Sequence, residues 1–244
     1  MNPERTGGGT GDVGVGVVIA EILDDAVDDD LALSVIEEVI GLGFVDANNV
    51  GGADDAGGGC DGGQWRFAGG DARSVTTAAS AMDALNSSSA IILDLRDNSG
   101  GSPQMVMFLA AYFFDHPAFL WNPREGNESR MWTRSPVSRS RLASTPLFVL
   151  TSSRTYSAAE HFTYGLKMLH RAVIVGETTS GATDVGVFHR IDAHFGIGIS
   201  ESRVRNPYST PDWAVTGVSP DVPVPADQAL QAAQQRAAQL LAHR

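Results

Sequence analysis

Two kinds of apolar pattern alternate along this chain. Ala90-Ile-Ile-Leu-Asp-Leu95, Pro146-Leu-Phe-Val-Leu-Thr151 and Ala172-Val-Ile-Val-Gly176 are short, nearly continuous apolar runs bounded by polar or glycine-rich residues, which predicts buried strands. Between them apolar residues recur at helical spacing. Val75, Ala79, Met82 and Leu85 mark a helix over 72–85, Gln104 to Phe114 is a strongly apolar helix, and Ala158, Phe162, Leu166 and Leu169 line one face of a helix over 158–169. Val187 to Ile191 and Phe195 to Ser200 predict a hairpin, and Ala226 to His243 a terminal helix. Residues 116–145 read as a polar loop. Arg96 to Gly101, Glu177 to Gly186 and Thr216 to Val222 read as turns. Strands alternating with helices predict an α/β fold, with helices packed on a sheet.

The first 70 residues have a different character. A glycine-rich opening, expected to be mobile, leads to two helical patterns, over 19–27 (Ile19, Ile22, Leu23, Ala26) and 31–40 (Leu31, Val35, Ile36, Val39). Asp28 to Asp30 can cap the second and Gly41 can end it. Residues 48–70 are mostly Gly, Ala and Asp and read as a linker. The expected organisation is therefore an acidic helical segment over 1–47, the linker over 48–70, and a core over 71–244.

Charge sharpens that division. Of 29 acidic residues fourteen precede residue 62, where Arg5 is the single basic residue, so the net charge of −12 belongs to the N-terminal quarter. Such a field repels nucleic acid. No run of 18 apolar residues predicts a membrane span, and no signal peptide is visible at the start, which leaves the compartment unassigned. The single cysteine, Cys60, excludes a disulfide framework or a cysteine zinc site. The aspartates of 51–63 match no calcium loop, and the glycines there match no phosphate loop, so no metal or cofactor is expected.

The chemistry concentrates at two junctions. Ser157 falls where a buried strand gives way to a helix, beside unpaired backbone N–H groups and the positive end of the helix dipole. On this stretch alone Ser157 reads first as an N-cap, with Glu160 completing a capping box. A serine so placed can also be a nucleophile, because the same amides stabilise an oxyanion formed beside it. The second junction is Asp94-Leu-Arg-Asp-Asn-Ser-Gly-Gly101, where paired glycines let backbone approach closely. An N–H from Gly100 or Gly101, with that of Ala158, could hold a carbonyl oxygen next to Ser157.

Four motifs occur in order: Ile91-Ile-Leu-Asp-Leu-Arg-Asp-Asn-Ser-Gly-Gly101, Thr151-Ser-Ser-Arg-Thr-Tyr-Ser-Ala-Ala-Glu160, Arg171-Ala-Val-Ile-Val-Gly-Glu-Thr-Thr-Ser-Gly181 and Gly217-Val-Ser-Pro-Asp-Val222. Together they resemble the S41 family of serine peptidases, which includes the tail-specific or C-terminal processing peptidases, the tricorn core and the interphotoreceptor retinoid-binding protein repeats. The resemblance covers about residues 72–225. It implies a ClpP/crotonase-like α/β core, Ser157 as nucleophile, Gly100, Gly101 and Ala158 as oxyanion hole, and a peptide or unstructured protein tail as substrate. It leaves room for a homo-oligomer, and the family is often periplasmic or secreted.

The sequence also departs from the family. The processing branch places its lysine base at the position of Ala182, and the tricorn-like branch uses an N-terminal histidine and a glutamate that would fall near Ala214. No histidine precedes His116, which leaves His161, His170, His189 and His194 as local substitutes. The pattern is nearer the tricorn and retinoid-binding-repeat branch than the Ser–Lys branch. A serine peptidase is the first expectation. A non-catalytic binding module, or a truncated inactive homologue, for a peptide or lipid-like ligand is the alternative. Trp65, Trp121, Trp132 and Trp213 could line a groove or simply pack. Asp94 and Glu177 could pair as carboxylates, although Asp94 more readily fixes the glycine turn.

Overall fold

A computed structural model describes residues 21–23, 33–35, 65–67, 72–123, 131–133, 142–192, 194–205 and 213–243. In chain order it contains strands β1 (Glu21–Leu23), β2 (Leu33–Val35) and β3 (Trp65–Phe67), helix α1 (Ala72–Ala84), strands β4 (Ile91–Asp94) and β5 (Asn98–Gly101), and helix α2 (Pro103–Ala110). Strands β6 (Phe119–Pro123), β7 (Met131–Trp132) and β8 (Leu147–Thr151) follow, then helix α3 (Ala158–Met168) and strand β9 (Val173–Gly176). The chain ends with strands β10 (Asp184–Arg190), β11 (Gly196–Arg205) and β12 (Val222–Pro223) and helix α4 (Ala229–Ala242).

The apolar runs become a parallel sheet in the order β12-β9-β8-β4. Its strands are apolar on both faces because both faces are covered. Ile91, Leu93, Leu147, Val149 and Ile174 pack with Met82, Met105, Phe162 and Leu166 from the three helices α1, α2 and α3. The alternate residues Ile92, Phe148, Leu150 and Val175 face Ala229, Ala233 and Ala237, a row of small residues that brings α4 close to the sheet. Truncating Phe148 to alanine between these layers would cost about 3–5 kcal/mol. Arg171 ties the segment before β8 to the end of α2: its guanidinium donates to the carbonyls of Phe113, Leu142 and Thr145 and lies 5.6 Å from the centre of the Phe113 ring. Burial among carbonyls pushes its pKa down to about 10.

Several elements differ from the sequence expectation. Within the stretches read as helices over 19–27 and 31–40, the described residues are β1 and β2, paired antiparallel with Glu21 opposite Val35. Runs of this length fit either period, and β-branched Ile22 and Val35 suit a strand. The glycine-rich opening, the Asp28–Asp30 cap and, apart from residues 65–67, the linker over 48–70 lie outside the described residues. The end of the stretch read as linker contains β3, which runs parallel to β5. The turn over 96–101 is therefore partly a strand, and the loop over 116–145 contains β6 and β7. The predicted hairpin is present and longer than expected, forming a second sheet in the order β10-β11-β6-β7.

Candidate active site

The polypeptide between β8 and α3 is held in shape by hydroxyl side chains that satisfy backbone groups. The Ser152 N–H donates to Thr155 Oγ1 at 3.0 Å, and Thr155 Oγ1 donates to the Leu95 carbonyl at 2.8 Å. Ser152 Oγ donates to the Arg96 carbonyl at 2.5 Å, and the Tyr156 N–H donates to the Asn98 carbonyl at 3.1 Å. Ser152 and Thr155 are fully buried, so each bond also offsets the cost of burying a polar group. The turn after β8 is in this way bonded to the turn after β4.

The turn ends at Ser157 with φ 54° and ψ −118°. An ordinary N-cap is extended. Ser157 instead holds a positive φ that a side chain makes unfavourable, at a cost of about 1–3 kcal/mol. Ser157 is still the N-cap of α3, and its N–H donates to Glu160 Oε2 at 2.8 Å, the backward half of the expected capping box. A sharp strand-to-helix turn lifts the nucleophile above the sheet in α/β-hydrolases.

Gly100 lies directly against this elbow. A Cβ on Gly100, whose φ is +102°, would stand 2.8 Å from Ser157 Cβ and 3.0 Å from the Ala158 amide nitrogen. Only glycine allows that approach. The two expected donor segments, Gly100–Gly101 and Ala158, therefore meet beside Ser157. The Gly100 N–H donates to Asn98 Oδ1 at 2.9 Å. Gly101 is pressed to the other side, where a Cβ would come 2.2 Å from the Phe67 carbonyl oxygen of β3. Asn98, which the sequence did not single out, thus positions both strands of the site: its side chain holds Gly100 and its carbonyl holds Tyr156.

Glu160 is the hub behind the serine. It is fully buried. Its Oε2 accepts from the N–H groups of Ser157 and Ala182, at 2.8 and 2.9 Å. Its Oε1 accepts from Thr179 Oγ1 and the Gly181 N–H, at 2.6 and 2.5 Å. Burial pushes its pKa up, against the pull of those four bonds. Thr179 carries the link onward by accepting from the Val218 N–H at 2.7 Å. All four in-plane acceptor positions of the ionised carboxylate are thereby occupied, so Glu160 spends them on fixing the elbow and the turn over 179–182. A buried glutamate with hydroxyl residues nearby in the sequence was the available signal for this role; periodicity could not reveal its partners.

No base stands where the family pattern would put one. Ala182 has only a methyl group, and Trp213 Nε1 donates to its carbonyl at 3.1 Å. His161 lies one turn into α3, buried, its ring parallel to Trp213 within 5° at 6.1 Å. His170 follows the 11-residue helix α3, roughly 16 Å from its start at the usual rise. His189 lies within β10, roughly 20 Å of extended chain beyond Ala182, and His194 lies farther along, before β11. Trp213 is a packing residue, against Tyr164 and His161. Asp94 and Glu177 do not act as a pair: Asp94 grips Arg96, and Glu177 accepts from the N–H groups of Ser153 and Ala226. Those two bonds hold the Glu177 carboxyl below the usual range. Among the described residues no cluster of His, Cys, Asp and Glu is arranged to hold a metal.

The site thus sets a strained serine between a helix N-terminus and a glycine turn, on a parallel sheet covered on both faces. Residues 65–224 match peptidase family S41, and the chain belongs to that family. It is 31% identical over 140 residues to the chloroplastic carboxyl-terminal-processing peptidase 2 of Arabidopsis thaliana, an alignment that takes in 57% of this chain and 27% of that protein. Photosystem II D1 C-terminal processing protease superposes with a TM-score of 0.54 at 26% identity, over 68% of this chain and 42% of that one. A lipoprotein from Streptococcus agalactiae shares the fold, with a TM-score of 0.57 at 19% identity over 72% of this chain and 66% of that one. The fold is the ClpP/crotonase-like α/β core of S41 peptidases. The chain spans just over a quarter of the curated relative's length.

Proposed function

We propose that this chain is a serine-type peptidase core in which Ser157 attacks the carbonyl carbon of a peptide bond. The observation that carries the reading is the left-handed Ser157 elbow packed against Gly100 beside the Ala158 amide. The carbonyl oxygen becomes an oxyanion and accepts from the Ala158 N–H and from the Gly100–Gly101 backbone. Where Gly100 is the donor, the oxyanion replaces Asn98 Oδ1. The serine proton passes to a base and then to the leaving amine, and water hydrolyses the acyl-enzyme. That base comes from outside the Ser157–Glu160–Ala182 cluster, because Glu160 is saturated and residue 182 is alanine. Without it, the remaining site supplies roughly 10³–10⁴ over water in comparable enzymes. The substrate is a peptide or an unstructured protein tail.

Ala182 favours a second reading, a binding module that holds a polypeptide without cutting it. Incubating the protein with an unstructured polypeptide and identifying new termini by mass spectrometry separates the two. New termini that vanish in Ser157→Ala support the peptidase, and retention of an intact polypeptide by both proteins supports the module.

A further inference from the structure

The hairpin formed by β10 and β11 leaves the active site and carries exposed apolar side chains outward. Strand β10 begins at Asp184, two residues past Ala182, whose N–H shares Glu160 Oε2 with that of Ser157. A bulge between Val185 and Gly186 bends the hairpin next to the site. On β11, Ile197 and Ile199 are 47% and 45% exposed, and alternation puts both on one face, with His189 opposite Ile197. At the tip Ile191 and Phe195 are 66% and 69% exposed, brought together by the bond from the Ile191 N–H to the Phe195 carbonyl at 3.0 Å. Between the isoleucines, a Cβ on Gly198 would meet nothing within 4 Å, so the strand is open there on its other face as well. Among the described strands β10 is the edge of its sheet.

Four large apolar side chains on one projecting ribbon mark an interaction surface. Its continuity with Ser157 selects the occupant. The seven residues of β10 span roughly 20 Å, and the strand starts two residues past the turn that Glu160 ties to Ser157. An open strand edge with apolar groups beside it receives an extended chain, through main-chain bonds and alternate side chains. We infer that the β10–β11 hairpin is a docking platform for an extended, apolar segment of the polypeptide flanking the bond at Ser157. This rests on the reading of Ser157 as acting on a polypeptide. It adds that segments of about six residues or more engage a surface that shorter peptides do not reach.

The test measures binding, so it does not depend on cleavage. Fluorescein-labelled unstructured peptides of about 20 residues, one with alternating Leu and Ser and one with Gly and Ser only, are titrated by anisotropy into Ser157→Ala protein with and without Ile197→Ser and Ile199→Ser. The hairpin predicts binding of the Leu peptide alone, weakened about tenfold or more by the double substitution, which removes two of the four exposed apolar side chains. Fluorophosphonate labelling of Ser157 in the otherwise native chain should be unchanged by the same substitutions, so failure of the nucleophile and failure of the platform give different results. Equal affinity with and without the isoleucines overturns the inference. So does a protein whose sedimentation shifts from dimer to monomer on Ile197→Ser and Ile199→Ser while peptide binding stays the same, since the ribbon would then be covered by a second copy.

Discussion

Ser157 and Ala182 donate their backbone N–H groups to the same oxygen, Glu160 Oε2, so the elbow and the turn over 179–182 lie within two hydrogen-bond lengths of one another. The backbone of residue 182 is therefore beside the serine although its side chain does nothing. What separates this site from a Ser–Lys dyad is a side chain, with the scaffold that would present it in place.

That relationship predicts a gain of function. Ala182→Lys puts an amine on a backbone already fixed against Ser157, where a desolvated lysine can accept the hydroxyl proton. Reaction of Ser157 with a fluorophosphonate should accelerate by about 10²-fold, the lower end of what general-base catalysis contributes. Rates followed by intact mass would show it, and an unchanged rate in a folded variant would mean that residue 182 does not face the serine.

The close approach of Gly100 predicts intolerance of any side chain there. Gly100→Ala combines a φ of +102° with a contact 3.0 Å from the Ala158 nitrogen, which cannot give way as a flexible side chain could. The expected loss is about 1–3 kcal/mol in urea denaturation, together with loss of fluorophosphonate labelling. Full labelling would show that Gly100 is not part of the oxyanion site.

Strain at Ser157 predicts an order of stabilities. Ser157→Ala keeps a Cβ at φ 54°, whereas Ser157→Gly removes it. The glycine variant should be the more stable by about 1 kcal/mol, after the larger chain entropy of glycine in the unfolded state is set against the strain released. An alanine variant as stable as the glycine variant would mean that the elbow holds no strain.

The buried carboxyl predicts a pH signature. Burial raises the Glu160 pKa above its ordinary value, despite the bonds from Thr179, Gly181, Ala182 and Ser157. The folded protein therefore holds this proton more tightly than the unfolded chain does. The stability that follows is fully present below the unfolded value, about 4.3, and is lost as pH rises through the raised folded value. Denaturation across that window should show the stability of the native protein falling relative to Glu160→Gln as pH rises. A difference that stays flat or grows would contradict the assignment.

The parallel sheet and its helices were legible because each strand is a continuous apolar run and each helix carries one apolar face. Ile91 to Leu93, Leu147 to Leu150 and Phe162 to Leu166 all sit where their pattern puts them. Ser157, Gly100 and Ala158 were singled out at the two junctions and again by the ordered motifs, and the structure sets them side by side. Asn98 and Thr179 were not legible, since each acts through a polar bond across the fold, to Gly100 and to Glu160, that no local pattern encodes. Strand β3 was hidden because its pairing with β5 depends on Gly101 having no Cβ, so that the Phe67 carbonyl can come close, a property of two segments more than 30 residues apart. The short strands β1 and β2 were misread as helices because a few apolar residues satisfy both periods.

The central claim is that Ser157 is a nucleophile in an oxyanion cradle. Intact-mass spectrometry of the native protein after incubation with a fluorophosphonate, beside Ser157→Ala, tests it most directly. The account predicts one adduct on the native chain, slow to form because residue 182 is alanine, and none on the variant. A native protein that shows a cooperative thermal transition yet stays unlabelled, or a variant labelled as fully as the native chain, would contradict it.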